Sequence, residues 1–412
     1  MKKHLFPVYI AFLALLFTPW VVYCQKSPDP DQPKAKKVVV STTLNRSQTG
    51  LRIYKPDKCY RGYTLISHGI TIMDIPEIND NFPVYLIDME GNIVYQWMTE
   101  SQPVLAKLKP NGHLCYIDGN ELRELDMQSN VVWSYSTCAI SHAFDFMENN
   151  NFIIDRDDHI DEYSKVCCDK NNKPTDRVRI EIISPEKKVL WSWKGEDHQE
   201  QILKLSGADT DLSRDNNNHC EILRDNPLAK KDKRFNKGNI LFSYNSNSLI
   251  GIIEYPKGDV VWAWGWGNLD SQHAHTMLEN GNLLIFDNGS RYRGGWARVI
   301  ELNPLTGEIV WEYHAQPKED FYTGTGGNAQ RLPNGNTLIC EGWRNRVFEV
   351  TPEGEVVWDF ISEFNKISGR GNIYEAFRYS EEYVRPLLEA RKKMLWKSKN
   401  GSGKDKSKPI GR

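Results

Sequence analysis

Along most of the chain, short runs of alternating apolar residues are separated by turn residues, and one pattern recurs six times. Its clearest copy reads Leu332-Pro333-Asn334-Gly335-Asn336-Thr337-Leu338-Ile339, then Val347-Phe348-Glu349-Val350, then Gly354-Glu355-Val356-Val357-Trp358. A close copy has Leu278-Glu279-Asn280-Gly281-Asn282-Leu283-Leu284, Val299-Ile300-Glu301-Leu302 and Gly307-Glu308-Ile309-Val310-Trp311. Looser copies end in Trp133, Trp191 and Trp262, and the first unit keeps only its second half, ending at Tyr95. Asn-Gly between alternating apolar residues is a strong hairpin signal, because both central residues can take positive φ. Each unit is therefore expected to be a set of short antiparallel strands.

The six aromatic end-points lie 38 to 71 residues apart, close to the roughly 40–50 residues of a propeller blade once insertions are allowed. The pattern predicts an all-β fold over 59–380: a six-bladed β-propeller of four-stranded antiparallel blades, each buried against its neighbour. The Trp series reads as blade-to-blade packing. Long gaps place insertions at about 155–178 and 195–236, both rich in Asp, Lys and Asn and so expected as surface loops. A quinone-dependent propeller is one alternative, since Asn303, Thr306-Gly307 and Trp311 fit its Trp-docking repeat, but the pattern appears cleanly once and such enzymes usually have more blades.

Composition sharpens this outline at the ends. The chain has 412 residues, 40% of them hydrophobic, with 13 Trp, 18 Tyr and 15 Phe, which excludes disorder over most of its length. Lys2, Lys3 and His4 precede the apolar run Val8 to Phe17, then Pro19 and Val22-Tyr23-Cys24-Gln25, the layout of a signal peptide over 1–24 and hence of a periplasmic or secreted protein. An uncleaved membrane anchor is the competing reading of Leu5 to Tyr23. Residues 25–58 read as a linker and 381–412 as a basic, solvated tail. The formal charge of −2 hides a body over 59–390 that carries a net −17, so nucleic acid is not expected as a partner. Removing Cys24 leaves seven cysteines, an odd number, and no spacing resembles a metal site. Asn45-Arg46-Ser47 and Asn288-Gly289-Ser290 match glycosylation sequons.

Repeat alignment turns scattered histidines into a set. His142 and His273 stand seven residues before equivalent asparagines, Asn149 and Asn280, and His219 opens the matching strand between them. All three are expected on inner strands of successive blades, where side chains converge on the central channel. Arg291 and Arg293 follow the His273 strand in Asp287-Asn288-Gly289-Ser290-Arg291-Tyr292-Arg293-Gly294. Imidazole with guanidinium would make a local positive focus suited to a sulfate or carboxylate.

In these residues the chain resembles the arylsulfotransferases, propeller enzymes that move a sulfuryl group between phenols without a nucleotide cofactor. The resemblance spans most of 62–380. It is carried by Gly62-Tyr63-Thr64-Leu65, Leu86-Ile87-Asp88-Met89-Glu90-Gly91-Asn92, Gln272-His273, Phe286-Asp287-Asn288-Gly289, Phe321-Tyr322, the run Ala329 to Gly342, and Ile373-Tyr374-Glu375-Ala376-Phe377-Arg378-Tyr379, in that order. It implies a small aryl sulfate donor, a phenolic acceptor, no cofactor, and a sulfohistidine intermediate formed by a neutral imidazole nucleophile. His219 and His273 would bind and polarise the sulfate as catalytic residues. Arg291 or Arg293, His142 and Tyr322 would line the substrate site. One departure stands out: the family's nucleophilic histidine falls just before an aromatic-Tyr pair, whereas Phe321-Tyr322 follows Lys318-Glu319-Asp320, and the nearest histidine is His314. His273, His219 or His314 could serve instead, or the protein is an inactive secreted platform that binds without transferring.

Overall fold

The computed structural model describes residues 36–41, 49–70, 82–118, 121–137, 140–156, 179–212, 217–364 and 372–401. Residues 1–35, which include the expected signal peptide, residues 157–178 of the first insertion and residues 402–412 lie outside these. Six antiparallel sheets form the blades of a propeller, as the repeats predicted. From the inner edge outwards, blade I is Asn372–Ser380, Gly62–Ile70, Phe82–Ile87 and Ile93–Thr99. Blade II is Leu105–Leu108, Leu114–Ile117, Glu121–Leu125 and Val131–Ser136, and blade III is Ile140–Phe146, Phe152–Arg156, Arg179–Ile183 and Val189–Lys194. Blade IV is Asn217–Ile222, Ile240–Tyr244, Leu249–Ile253 and Val260–Trp264. Blade V is His273–Met277, Leu283–Asp287, Arg298–Asn303 and Glu308–Gln316, and blade VI is Asn328–Arg331, Thr337–Glu341, Arg346–Val350 and Val356–Ile361.

The first repeat lacks its opening Asn-Gly turn because the first strand of its blade comes from the other end of the chain. Asn372–Ser380 pairs with Gly62–Ile70, closing the ring by joining both ends of the repeat array in one sheet. Two strands of the expected linker are also drawn in. Lys36–Ser41 runs parallel to Glu308–Gln316, and Gly50–Tyr54 runs antiparallel to Val356–Ile361, giving blades V and VI a fifth, outer strand.

The Asn-Gly turns differ from expectation in one respect. Gly112, Gly281 and Gly335 have φ of 82, 88 and 87°, while the preceding asparagines keep negative φ. Asn280 and Asn334 instead use their side-chain oxygens to accept the backbone N–H two residues on, at 2.9 and 3.2 Å. This is a type I turn followed by a left-handed glycine rather than a pair of positive-φ residues.

Six apolar clusters fill the six blade interfaces, each drawing from two adjacent blades. The aromatic series adds a polar link across every one. Trp133 Nε1 donates to Pro185 O (2.7 Å), Trp191 to Pro256 O (2.9 Å), Trp262 to Pro304 O (3.1 Å), Trp311 to Pro352 O (2.9 Å) and Trp358 to Met89 O (2.8 Å). The Tyr95 hydroxyl donates to Met127 O and completes the circle. Every acceptor lies in the turn between the third and fourth strands of the next blade.

The second insertion and the tail are more ordered than their composition suggested. Within 195–236 the helix Gln199–Ser206 buries Ile202 in the cluster between blades III and IV. Glu381–Gly401 is a helix rather than a solvated tail, because Val384 and Leu387, one turn apart, pack into the cluster between blades I and II. Tyr383 anchors it by donating to Leu108 O (2.7 Å). Among the described residues no helix is long and apolar enough to cross a membrane.

Replacing Trp262 by Phe keeps an aromatic ring but strands the Pro304 carbonyl. This is expected to lower unfolding stability by about 2 kcal/mol. A urea midpoint unchanged from wild type would show that the inter-blade bond contributes nothing.

Candidate functional site

The inner strands of the blades surround the axis, and four of the six break register with their second strand at the same level. The irregularities fall between Ile140 and Phe144, Asn217 and Cys220, His273 and His275, and Ile373 and Ala376. A bulge inserts a residue and re-aims the side chains beside it. Here the re-aimed residues are His142, His219, the His273–His275 stretch, and Tyr374 with Glu375. Ala274 sits at φ 31°, a backbone strain that a non-glycine residue accepts only where its surroundings enforce it.

His142 and His273 meet through Tyr374. The His142 ring stacks on the phenol at 5.5 Å between centroids, and the His273 ring meets it edge-on at 6.2 Å. His273 is further defined by Asn288, which is fully buried. The Asn288 amide Nδ2 donates to the carbonyls of Thr323 and Gly326, both at 2.9 Å. Its oxygen is therefore the atom that faces His273, and His273 Nδ1–H donates to it at 2.8 Å. The tautomer follows: Nδ1 carries the proton, and Nε2 presents a lone pair to the Thr325 hydroxyl at 3.4 Å. A buried, doubly committed Asn288 also has no room for a glycan, so that sequon is structural.

His219 takes a different course. Its ring turns toward His275, 4.6 Å away, a residue the sequence reading did not select. His275 Nε2–H donates to Phe242 O at 3.1 Å. His219 bonds to the His275 backbone, which leaves His219 Nε2 and His275 Nδ1 buried with no hydrogen-bond partner. His219 and His275 thus form a second imidazole pair between the inner strands of blades IV and V.

The expected guanidinium focus does not form at His273. Arg291 is exposed, with its guanidinium donating to the Ser246 carbonyl and to Ser246 Oγ (3.2 Å). Arg293 pairs with the fully buried Asp287 at 2.5 Å and lies over Trp296. Asp287 also holds Arg298 (2.9 Å), so the carboxylate at the end of its strand neutralises the charge that was expected to face the channel. Their loop is pinned by Asp270, whose carboxylate accepts the backbone N–H groups of Arg291, Tyr292 and Arg293 at 3.0, 2.7 and 2.7 Å. His314 lies on the outermost of the four repeat strands of blade V and bonds to Ala315 O (2.9 Å), which removes it from the channel.

Tyr322 lies on the loop after Phe321, its N–H donating to Glu341 Oε1 (3.0 Å) and its ring edge-on to Trp343 at 5.7 Å. The same loop holds Thr325 and so borders His273. Asn288, Thr325, Tyr374 and His275 were missed as site residues. Asn288 and Tyr374 were inside quoted motifs, but nothing in a linear sequence marks which bulge turns a side chain inward.

Burial keeps the imidazoles neutral. It lowers His142 and His273 to about 4, with the Asn288 bond partly opposing the effect at His273 and His142 adding to it. His275 falls to about 3 and His68 to about 4 for the same reason, and His219 lies well below the ordinary value, through burial and then the neighbouring His275. Three carboxyls move the other way. Burial raises Glu375 to about 7, burial with the nearby Asp145 raises Glu221 to about 7, and burial raises Glu341 against the pull of Arg346 and Arg344.

The family profile described as arylsulfotransferase (ASST) matches residues 111–363, more than half of the chain. The chain belongs to the arylsulfotransferase family. The match runs from the first turn of blade II through blade VI and takes in His142, His219, His273, Asn288, Thr325 and Trp343, while Tyr374 lies beyond it. No curated protein matches this arylsulfotransferase-family chain. Among solved structures, a protein of unknown function from Bacteroides caccae is similar at 13% identity and TM-score 0.51, covering 78% of this chain and 100% of that one. A streptogramin B lyase is similar at 11% identity and TM-score 0.42, covering 73% and 88%. The Bacteroides likeness reflects the shared propeller fold.

These shifts set a pH dependence. His68, His142, His219, His273 and His275 bind protons in the unfolded chain near pH 6.5 but in the folded one only at much lower pH, so each makes stability rise with pH through that interval. Glu221, Glu341 and Glu375 act oppositely, binding protons more tightly when folded. Five imidazoles outweigh three carboxyls, and the urea midpoint is expected to rise from pH 4.5 to 6.5. A flat or falling profile would mean that the buried imidazoles are charged in the folded protein.

Proposed function

We propose that this arylsulfotransferase-family protein moves a sulfuryl group from an aryl sulfate to a phenol through His273. One observation carries the reading: Asn288 fixes the Nδ1–H tautomer, so the bare, neutral Nε2 is the nucleophilic nitrogen. In the first half-reaction the Nε2 lone pair attacks sulfur, the N–S bond forms, and the aryl oxygen leaves with the electrons of the S–O bond. Positive charge develops on the imidazole, and the Asn288 oxygen on its Nδ1–H stabilises it as it forms. In the second half-reaction an acceptor phenol attacks the same sulfur, the N–S bond breaks, and the neutral His142 takes the phenolic proton. An imidazole that stays unprotonated down to about pH 4 is available for both roles at neutral pH.

His219 and Arg291, assigned by resemblance to the sulfate, are turned to His275 and Ser246 respectively. This favours a site in which Thr325 and the two imidazoles near Tyr374 meet the donor first. It also supports the second reading, a platform that binds without transfer. The charged start, the apolar run and Val22-Tyr23-Cys24-Gln25 support an exported location for the chemistry.

Incubating the full chain with 4-nitrophenyl sulfate and phenol is expected to release 4-nitrophenol and form phenyl sulfate. His273→Asn is expected to reduce turnover about 10³-fold or more with the fold retained. Release undiminished in the variant would remove His273 from the reaction, and no release by the folded wild type would leave the binding platform.

A further inference from the structure

Three consecutive residues of the loop after Phe321 each meet one member of the site. Gly324 lies against Trp343: a Cβ added there would fall 2.5 Å from the indole Cζ2, so a side chain at this position would displace the ring. Thr325 places its hydroxyl at His273 Nε2. Gly326 lies against the Tyr374 ring, whose Cδ2 would be 2.9 Å from an added Cβ. The segment therefore links Trp343, His273 and Tyr374 through three successive contacts.

Trp343 is tied into the frame that orients His273. Its backbone N–H donates to Thr323 Oγ1 at 3.2 Å, the Thr323 carbonyl accepts from Asn288 Nδ2, and Asn288 accepts from His273. The residue before it, Gly342, has no room for a side chain because the Ile373 carbonyl, next to Tyr374, occupies that space. The indole backbone is thus fixed from both sides. Even so, Trp343 is 41% exposed, in a protein whose blade-linking Trp262, Trp311 and Trp358 are buried. Tyr322 backs its edge at 5.7 Å, which limits its rotation. The indole is held by Gly324 and Tyr322, one residue along the loop from the Thr325 hydroxyl that meets His273 Nε2, and it still keeps part of its surface open to solvent. Flat aromatic ligands stack on such a surface with little loss of freedom.

We propose that Trp343, braced by Tyr322 and seated on Gly324, is the wall on which the aryl ring of the substrate stacks. It selects planar aromatic carriers over alkyl ones and presents the ring-borne oxygen toward His273. This assignment deepens the transfer reading and rests on it for the identity of the ring, while its binding step can be measured separately. Trp343 touches the ring and not the sulfur, so it governs binding and specificity more than the rate of bond exchange.

The test uses the full chain with 4-nitrophenol as a non-reacting probe, read by titration calorimetry, and 4-nitrophenyl sulfate with phenol as substrates. Trp343→Ala is expected to weaken 4-nitrophenol binding about tenfold and to raise KM for the aryl sulfate similarly, with kcat changed by less than about threefold. Trp343→Phe is expected to keep most of the affinity, and Gly324→Ala, which pushes the indole away, to mimic Trp343→Ala. Equal affinity of wild type and a folded Trp343→Ala for 4-nitrophenol, or no binding by wild type at millimolar probe, would overturn the wall. Tryptophan-dependent binding without any transfer would keep the wall and defeat the sulfuryl-transfer reading. Transfer by wild type with an unchanged KM in Trp343→Ala would do the reverse.

Discussion

The bond from an outer-strand aromatic to a backbone carbonyl of the next blade is the interaction on which the rest of the molecule depends. Each blade alone is a short twisted sheet with two apolar faces to hide, and stacking between two neighbours hides them. Apolar contact has little directional preference, so it does not by itself set the rotation of one blade on the next. An indole N–H that reaches a single carbonyl does. Six such links, from Tyr95 to Trp358, fix six angles, and the angles must close a circle. The shared sheet of Asn372–Ser380 and Gly62–Ile70 then closes the circle through backbone hydrogen bonds between the two ends of the repeat array.

Once the angles are set, the inner edges of the blades approach one another closely enough for small irregularities to decide the chemistry. The bulges of blades III, IV, V and I lie at one level and turn His142, His219, His273 and Tyr374 out of the regular alternation. Asn288 reads the position of the blade VI loop through two carbonyls and transmits it to His273 as a choice of tautomer. The same closeness desolvates the imidazoles, so neutrality at pH 7 is a product of the packing. The guanidinium charges that would lower those pKa values further are diverted: Arg293 and Arg298 to Asp287, and Arg291 to Ser246.

Much of this was legible in the chain. The Asn-Gly and Val-Val-Trp repeats encode blade number and the level of each strand, because turn glycines and outward aromatics are local requirements. The inner-strand positions of His142, His219 and His273 follow from the same alignment. The closing strand was not visible as a repeat, since Asn372–Ser380 is separated from its partners by the whole propeller. Nor was the fate of Arg291 and Arg293 visible, because a guanidinium chooses its carboxylate in space, and Asp287 is buried beside one of them. His275 was not selected from the sequence, where nothing marks the bulge at Ala274 that sends its ring to Phe242 O and His219. The helix Glu381–Gly401 was hidden by its basic composition, although its buried Val384 and Leu387 keep helical spacing.

The central claim is that inter-blade geometry holds His273 neutral with its proton on Nδ1. A long-range proton–nitrogen correlation spectrum of ¹⁵N-histidine-labelled protein at pH 7, with His273 assigned by comparison with His273→Asn, tests it directly. The account predicts a neutral ring with Nδ1 protonated and Nε2 bare. A ring protonated on Nε2, or on both nitrogens, would contradict it.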